Sequence, residues 1–520
     1  SSVFGLLPAD FVSSHNVLPL FKVRSHLTIA MPEPSNLFLI EEIAQVTGCK
    51  VQVVAATAAD IARNIEAMRA DATQAGTNSP HKIDLHHMPV LDDAVRADPA
   101  ELEMLFGLWS PENIVNFILQ DAHAQQATEI HVEPQPGDLT IRYRIDGALR
   151  LGLKPPYRHV KDLLQAFKDI AGPGATPEDA GGTGTAKVSI SGHDLTLHIW
   201  TFAARDGERM LIRLSQYSED ALSLERLGFD LQLLQNYHKV LQGGSGMVLV
   251  AGPRHSGKTT TLYASLLGID RDHMNICTLE DPIITNLPGV NQFQLDSASG
   301  MSARKALEAV LRQSPDVILL NGVGDVATSR MAAEAAASGL LVLMEVPASG
   351  SAAAIMRAAR DGAGGATTVE CLKAVLAQRL VRKVCPLCRT QYQPPQETWR
   401  KFHDLFMAHA ASDADMPTPP GESQADEKAA PVEVFYHGEG CGHCGQTGYA
   451  GRIGLFELIV LTPAIEKAIC SVLRSGRNMP SGHDLARALR SAGAPSMIAD
   501  GVEKVRAGLT TPEEVLGLPG

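Results

Sequence analysis

The sequence predicts an α/β protein: a phosphate-loop core with a mainly parallel sheet, preceded by α+β N-terminal domains and followed by a metal-braced, helical C-terminal region. Three observations predict it. Between Ser223 and Leu376, strand-like runs ("GMVLVAG", "NICTLE", "DVILL", "LLVLMEV") alternate with helical stretches, the pattern of parallel strands joined by helices. The first of these strands opens into G-x-x-x-x-G-K-[ST], as "AGPRHSGKTTTLY". Farther on, Cys385 with Cys388 and Cys441 with Cys444 form two C-x-x-C knuckles.

Bulk properties narrow the function classes. At 520 residues the chain exceeds one compact core, so several domains are expected. A 45% hydrophobic, 20% charged composition is that of an ordinary soluble protein, and a net charge of -13 argues against a dedicated nucleic-acid binder. No apolar run approaches the roughly 18 residues of a membrane span. The N-terminal residues show no basic stretch followed by an apolar core, so no secretory signal is expected. The 8 cysteines are scattered apart from the two knuckles. In a long chain without a signal, paired thiols point to a metal before a disulfide, and a cytoplasmic location is expected.

The elements follow in order. In residues 1–72, "HLTIAMPEP" and "CKVQVVAA" read as strands, "SNLFLIEEIAQVT" and "TAADIARNIEAMRA" as helices. The polar, turn-rich residues 73–90 read as a linker. Residues 91–222 give the helix "PENIVNFILQDAHAQQ", then strands in "EIHVEP", "LTIRYRIDG", "KVSISGHDLTLHIW" and "RMLIRLS", with "AGPGATPEDAGGTGT" as a loop. Residues 223–376 are the nucleotide-binding core. Residues 377–460 hold the cysteine knuckles and an acidic, Pro-rich stretch, Ala411 to Pro431, expected to be a mobile insertion. Residues 461–520 read as helical.

The phosphate loop predicts ATP binding. Gly252, Pro253, Ser256, Gly257, Lys258, Thr259 and Thr260 lie in the segment whose backbone N–H groups and helix N-terminus face phosphates. Lys258 adds a point charge at the β- and γ-phosphates, and Thr259 offers its hydroxyl to Mg2+. Arg254 and His255 are bulky for such a loop. The later run "PDVILLNGVGD" reads as the second nucleotide-site strand, which should end near a carboxylate; it runs instead into Asn321 and Gly322.

Together with "TLEDPI", "LPGVNQFQL", "LRQSPDVILL", "LAQRLVRKVCPLC" and "GCGHCGQTGYAGRIGLFEL", these motifs resemble the ATPases of type II secretion and type IV pilus assembly, the GspE/PilB group. The resemblance covers nearly the whole chain: "EIHVEPQPGDLTIRYRIDG" is similar to that family's second N-terminal, PAS-like domain and "LLPADFVSSHNVLPL" to the end of its first. It implies a RecA-like core and a hexameric ring, homomeric or mixed with an active family ATPase. The ring would be cytoplasmic and peripheral to the inner membrane, docked on an inner-membrane platform protein. It also implies that arginines of the second domain reach the phosphates; Arg142, Arg144, Arg209 and Arg213 lie in matching segments, and His198 stands where the family has a further arginine.

Position by position, the catalytic set departs from the family pattern. "EDPII" keeps Glu280 and Asp281, but Ile284 replaces a second glutamate. In the second strand Gly322 stands at the glutamate position and Gly324 at the arginine position, while Asp325 remains. Leu340 and Pro347 replace the two histidines of the family's histidine box. Glu280, Asp281 and Asp325 are the retained candidate acids. Glu345, at the end of "LLVLM", is a replacement candidate whose plainer reading is a solvent-facing strand end. Losing a water-orienting acid costs about 10² to 10⁴ in rate, so poor ATP hydrolysis is expected, with a working motor using a relocated acid as the alternative and a scaffold that no longer binds nucleotide as a lower one. Cys385, Cys388, Cys441 and Cys444 suit a closed, structural Zn2+ site, with His437 and His443 as spare ligands.

Overall fold

The computed structural model describes residues 111–155, 160–172, 182–190, 193–215, 222–295, 300–361, 369–409, 435–474 and 481–518, with shorter segments of the first 110. Near the N-terminus, β1 (Leu18–Val23), β2 (His26–Met31), α1 (Leu37–Thr47) and β3 (Lys50–Ala55) make a small unit. β1 pairs antiparallel with β2, and β2 runs parallel to β3. Asn36 caps α1 by accepting from the Leu39 N–H, and Gly48 ends it in the left-handed region at φ 65. The helix expected in "TAADIARNIEAMRA" falls almost wholly outside the described residues.

Among the described residues the second unit is a seven-stranded sheet carrying two helices. It comprises β4 (Ile83–Leu85), α2 (Pro111–Ala124), β5 (Glu129–Gln135), β6 (Asp138–Ile145), β7 (Ala148–Leu153), α3 (Val160–Ala171), β8 (Gly182–Ile190), β9 (His193–Ala204) and β10 (Gly207–Ser215), in sheet order β4-β8-β9-β10-β5-β6-β7. Ile130, Val132, Ile141, Tyr143, Ile199 and Ile212 send one face of the sheet into a core with Phe117 and Ile118 of α2 and Phe167 of α3. Strand alternation then puts Glu129, His131 and Glu133 of β5, Arg142 and Arg144 of β6, and Arg209 and Arg213 of β10 on the opposite face. β4 belongs to this sheet, parallel to β8, although its residues fall in the expected linker.

The core sheet has the order β13-β12-β14-β15-β11-β16-β19. After α4 (Leu231–Gln242), the chain alternates β11 (Gly246–Gly252), α5 (Lys258–Leu267), β12 (Ile276–Glu280), β13 (Asn291–Gln294), α6 (Ala303–Leu311), β14 (Val317–Asn321), α7 (Val326–Ala337), β15 (Leu341–Pro347), α8 (Ser351–Asp361) and β16 (Leu372–Val384). These strands pair in parallel; β19 (Tyr449–Val460) closes the edge antiparallel to β16. Each of the strands anticipated between 223 and 376 is present. The sheet continues past Leu376, however: β16 stays buried from Ala374 as far as Gln378, its outer half is half-buried, and it pairs with β19 over Ala374 to Val384.

Between β16 and β19 lie β17 (Arg389–Tyr392), α9 (Gln396–His409) and β18 (Phe435–Gly438), with β17 and β18 forming a small hairpin-like pair. The Pro-rich stretch from Ala411 to Pro431 lies outside the described residues. Four helices follow: α10 (Pro463–Arg474), α11 (Gly482–Ser491), α12 (Met497–Arg506) and α13 (Pro512–Leu516). Arg382 of β16 ties α13 in, donating from Nε and Nη2 to Glu514 Oε1 while its own N–H reaches Glu514 Oε2. Among the described residues, no helix is long and apolar enough to cross a membrane.

Phe456 of β19 locks three parts of the core together. Its ring stacks on Phe229 at 3.9 Å between centroids, and Lys504 Nζ of α12 sits 5.0 Å from its centre. Phe456→Ala should lower unfolding stability by about 3–5 kcal/mol, read from the midpoint of denaturant unfolding.

Candidate functional site

The phosphate loop takes its shape from glycine. β11 is buried along its whole length and ends at Gly252. A Cβ there would lie 2.3 Å from Ser256 Oγ and 2.6 Å from the Gln378 carbonyl oxygen, so the turn closes this tightly only without one. Gly257, at φ 86, precedes Lys258, the first residue of α5, and no side chain caps that helix. Its first-turn N–H groups, at the positive end of the helix dipole, therefore face the space an anion would take. Gln378 of β16 donates from Nε2 to the Ser256 carbonyl at 2.7 Å. Ser256 Oγ and Gln378 Oε1 are buried with no hydrogen-bond partner. Of the two only the Ser256 hydroxyl can donate to a phosphate oxygen, and beside the glycine cradle and the helix N-terminus it fits a phosphate group; the Gln378 oxygen is an acceptor. A cavity of about 330 Å³ opens alongside, walled by Gly257, Thr260, Leu380, Arg452 and Phe456, with Asp146 from the β6–β7 turn.

The candidate acids separate. Lys258 Nζ donates to the Pro253 carbonyl at 2.5 Å and lies 3.2 Å from Glu345 Oε1. The other oxygen of Glu345 accepts from the Gly322 N–H at 3.0 Å. The sheet order explains the meeting: β15 lies between β14, which ends at Asn321, and β11, and Glu345 pairs in register with Val250. Gly322 itself has φ 74, and a Cβ on it would come 2.4 Å from the Asp281 carbonyl oxygen. The position that carries a glutamate in the resembling family is thus closed to any side chain here.

Glu280 does not face the loop. It is fully buried and receives Tyr263 Oη at 2.5 Å, Thr278 Oγ1 at 2.7 Å, Gln292 Nε2 at 3.1 Å and Asn321 Nδ2 at 3.4 Å. Four donors fill the acceptor sites of its carboxylate, and through them Glu280 braces β12, β13, β14 and α5. Asp325 caps α7, accepting from the Thr328 N–H at 2.7 Å. Asp281 is exposed; its N–H binds the Asn321 carbonyl at 3.0 Å.

The polar face of the second domain meets the loop through Glu129. Arg144 Nε donates to Glu129 Oε2 at 2.7 Å, His131 lies 3.2 Å from the same oxygen, and Arg213 Nη2 donates to Oε1 at 3.3 Å. On the core side His255 of the loop, at φ 62, brings Nδ1 to 3.8 Å from Glu129. Burial pushes the Glu129 carboxyl up, but the hydrogen bonds from His131 and Arg144 and the charges of His255 and Arg213 outweigh it and hold it at about 2. Burial lowers the His255 imidazole; Glu129 draws it back up, and Arg213, Arg144 and Arg452 push it down again, for a net downward shift. Arg142 and Arg209 instead pair with Glu133. Of the four predicted arginines, only Arg144 and Arg213 converge on the loop.

Two of the departures touch each other. His198 Nε2 lies 3.4 Å from the Ile284 carbonyl oxygen, and burial lowers its pKa. The family's cation and anion at these positions are lost together, which leaves no single buried charge without a partner.

Behind the core, the four predicted cysteines meet. Their sulfurs lie within 4.8 Å of one another, with separations of 3.9 Å (Cys385–Cys441), 3.8 Å (Cys388–Cys444) and 3.7 Å (Cys441–Cys444). A tetrahedral ion with metal–sulfur bonds of about 2.3 Å sets sulfurs about 3.8 Å apart. N–H groups of Gly440, Cys441 and Gly448 point at Cys388 and Cys444 sulfurs, as suits thiolates. The four residues thus fit a metal ion with no help from a histidine.

Sequence reading singled out neither Glu129 nor Gln378 nor Tyr263. A signal existed for Glu129: strand alternation puts it on the arginines' face. Gln378 reaches the site through pairing of strands distant in sequence, and Tyr263 through packing of α5 against the end of β12.

The family model described as type II/IV secretion system protein matches residues 109–517, and that of the MshEN domain matches residues 1–75. The type IV pilus assembly ATPase PilB of Myxococcus xanthus is 28% identical over 99% of this chain and 86% of its own length. The type II secretion system protein HxcR of Pseudomonas aeruginosa is 32% identical over 78% of this chain and 76% of its own. Among solved structures, the ATPase DotB of Legionella pneumophila aligns with a TM-score of 0.51 at 16% identity, covering 84% of this chain and 98% of its own, a likeness of RecA-like fold alone. Matched by the family model from residue 109 to residue 517 and by relatives along nearly its whole length, the chain belongs to the family of type II secretion and type IV pilus assembly ATPases.

Proposed function

We propose that this chain is an ATP-binding ring subunit of a pilus or secretion assembly machine, and that it turns ATP over more slowly than a relative with a full set of acids. The observation that carries this reading is the pairing of a well-formed phosphate loop with a second-strand position, Gly322, that has no room for a carboxylate.

The loop supplies N–H donors from the start of α5, and Lys258 supplies the charge for the outer phosphates. Arg144 and Arg213 stand across from it, held ready by Glu129. Thr259 is the residue that would hold a magnesium ion through its hydroxyl, and that ion would supply charge neutralisation on the phosphates. Against this, Glu280 is committed to its four donors, Asp325 to its helix cap, and Leu340 and Pro347 offer no imidazole. The relatives named for pilus assembly and secretion support a ring, homomeric or mixed with an active ATPase. They also support docking on a platform protein that keeps the ring peripheral to the inner membrane. The four cysteines would hold one structural zinc; with four thiolates it has no open position for catalysis.

Three outcomes follow. Lys258→Ala should weaken ATP binding by ten-fold or more in equilibrium dialysis of the purified chain, and unchanged binding would overturn the phosphate-loop assignment; the factor is on the order of one lost charge-assisted contact. Gly322→Glu should lower stability by about 1–3 kcal/mol and leave phosphate release no faster, because the new Cβ meets the Asp281 carbonyl; a large gain in rate with an intact fold would contradict it. Cys441→Ser should lose bound zinc by elemental analysis and expose the segment between β16 and β19 to protease.

A further inference from the structure

We infer that Glu345 is the carboxylate that holds the attacking water, doing from β15 what position 322 cannot do from β14. This rests on the nucleotide reading above and adds to it the group through which the remaining hydrolysis runs.

Several independent observations meet at this side chain. Its carboxylate is 3.2 Å from Lys258, the residue that marks where the outermost phosphate lies. It is also fixed by the Gly322 N–H at 3.0 Å, so the backbone of the emptied position now orients its replacement. The left-handed φ of 74 that excludes a side chain at Gly322 belongs to the same backbone geometry that gives Glu345 this donor. The carboxylate is neither buried nor free: its side chain is 19% exposed, against 6% for Lys258, which leaves it reachable by one layer of water. A cavity of about 140 Å³ also borders Glu345, walled by Gly322, Gly324, Met247, Leu249, Met344 and Arg357; no phosphate-loop residue lines it, so the place for the water rests on the partial exposure of the carboxylate and its approach to Lys258.

In the step this assigns, a water hydrogen-bonded to Glu345 attacks the γ-phosphorus. The new P–O bond forms as the bond to the β,γ-bridging oxygen breaks, and that bond's electron pair leaves on ADP. The water's proton passes through the Glu345 carboxylate to the released inorganic phosphate, so the carboxylate is regenerated. Lys258 exchanges its partner, from Glu345 to phosphate oxygen, when ATP enters, which frees the carboxylate for the water at the moment it is needed.

The test uses the purified full chain with radiolabelled ATP under single-turnover conditions, with binding measured in parallel. Glu345→Gln keeps the size and the hydrogen bond to Gly322 and loses the base. It should bind ATP as tightly as the native chain or more tightly, and cleave it about 10² to 10⁴ times more slowly. Glu345→Asp, which draws the carboxylate back by one methylene, should fall between them, and serves if the glutamine variant does not fold. Native cleavage rates in both variants, with ATP bound more tightly, would reduce Glu345 to a clamp on Lys258 and overturn the inference. ATP bound by the native chain but cleaved no faster than in Lys258→Ala would overturn it too, while leaving the binding function intact. Failure of the native chain to bind ATP would remove the reading and the inference together.

Discussion

The carbonyl oxygen of Asp281 occupies the space that a Cβ on residue 322 would need, and the geometry of the site depends on that close approach. It arises where β12 and β14 end side by side. Glu280 pairs with Asn321 in register, and the chain leaving Glu280 returns an N–H from Asp281 to the Asn321 carbonyl. Buried carboxylates are costly unless their oxygens are satisfied. Glu280 is satisfied by groups from β12, β13, β14 and α5, so removing any of these partners would loosen the strand ends that shape Gly322. The acid most conspicuous in the sequence therefore braces the strand ends. The acid that reaches the phosphate loop stands one strand away.

Charge at the interface between the second domain and the core is arranged in the same economical way. The arginine-rich face of that domain could not pack near Arg452 and the His255 imidazole of the loop without repulsion. Glu129 and Glu133, on alternate positions of one strand, absorb that charge in two separate clusters. Only the Glu129 cluster faces the loop, where His255 replaces the small residue that a loop turning at φ 62 would favour. An incoming phosphate would compete with a carboxylate already holding two guanidinium groups in position.

Much of this was legible in residues alone. The four parallel strands, the loop and the cysteine knuckles each carry a local pattern, and each formed where the pattern placed it. The strand lengths of β16 and β19 were not legible as part of the core, since an antiparallel partner from beyond the cysteine knuckles decides whether "LKAVLAQRLVRKV" joins the sheet. Nor was β4, three residues long, which has no pattern of its own and exists through pairing with β8. At the site, spacing could flag a missing glutamate but not say what filled its place. That answer depended on sheet order, which sets Glu345 between Lys258 and Gly322 and which no local window of sequence contains. The same limit hid the bracing of Glu280, whose four donors come from residues up to 41 positions away.

β16 has a mechanical meaning. It begins beside the loop strand, reaches the loop through Gln378, and delivers Cys385 into the cysteine knot as it ends. From Gln378 to Cys385 is about 23 Å of extended chain at 3.3 Å per residue. Extended backbone clamped along its length by β19 is stiff under tension and shear, whereas a loop of equal length would absorb the motion. Any displacement of the phosphate loop would therefore reach the four cysteines through stiff chain rather than through a yielding loop. The knot works less like a staple and more like the far end of a connecting rod.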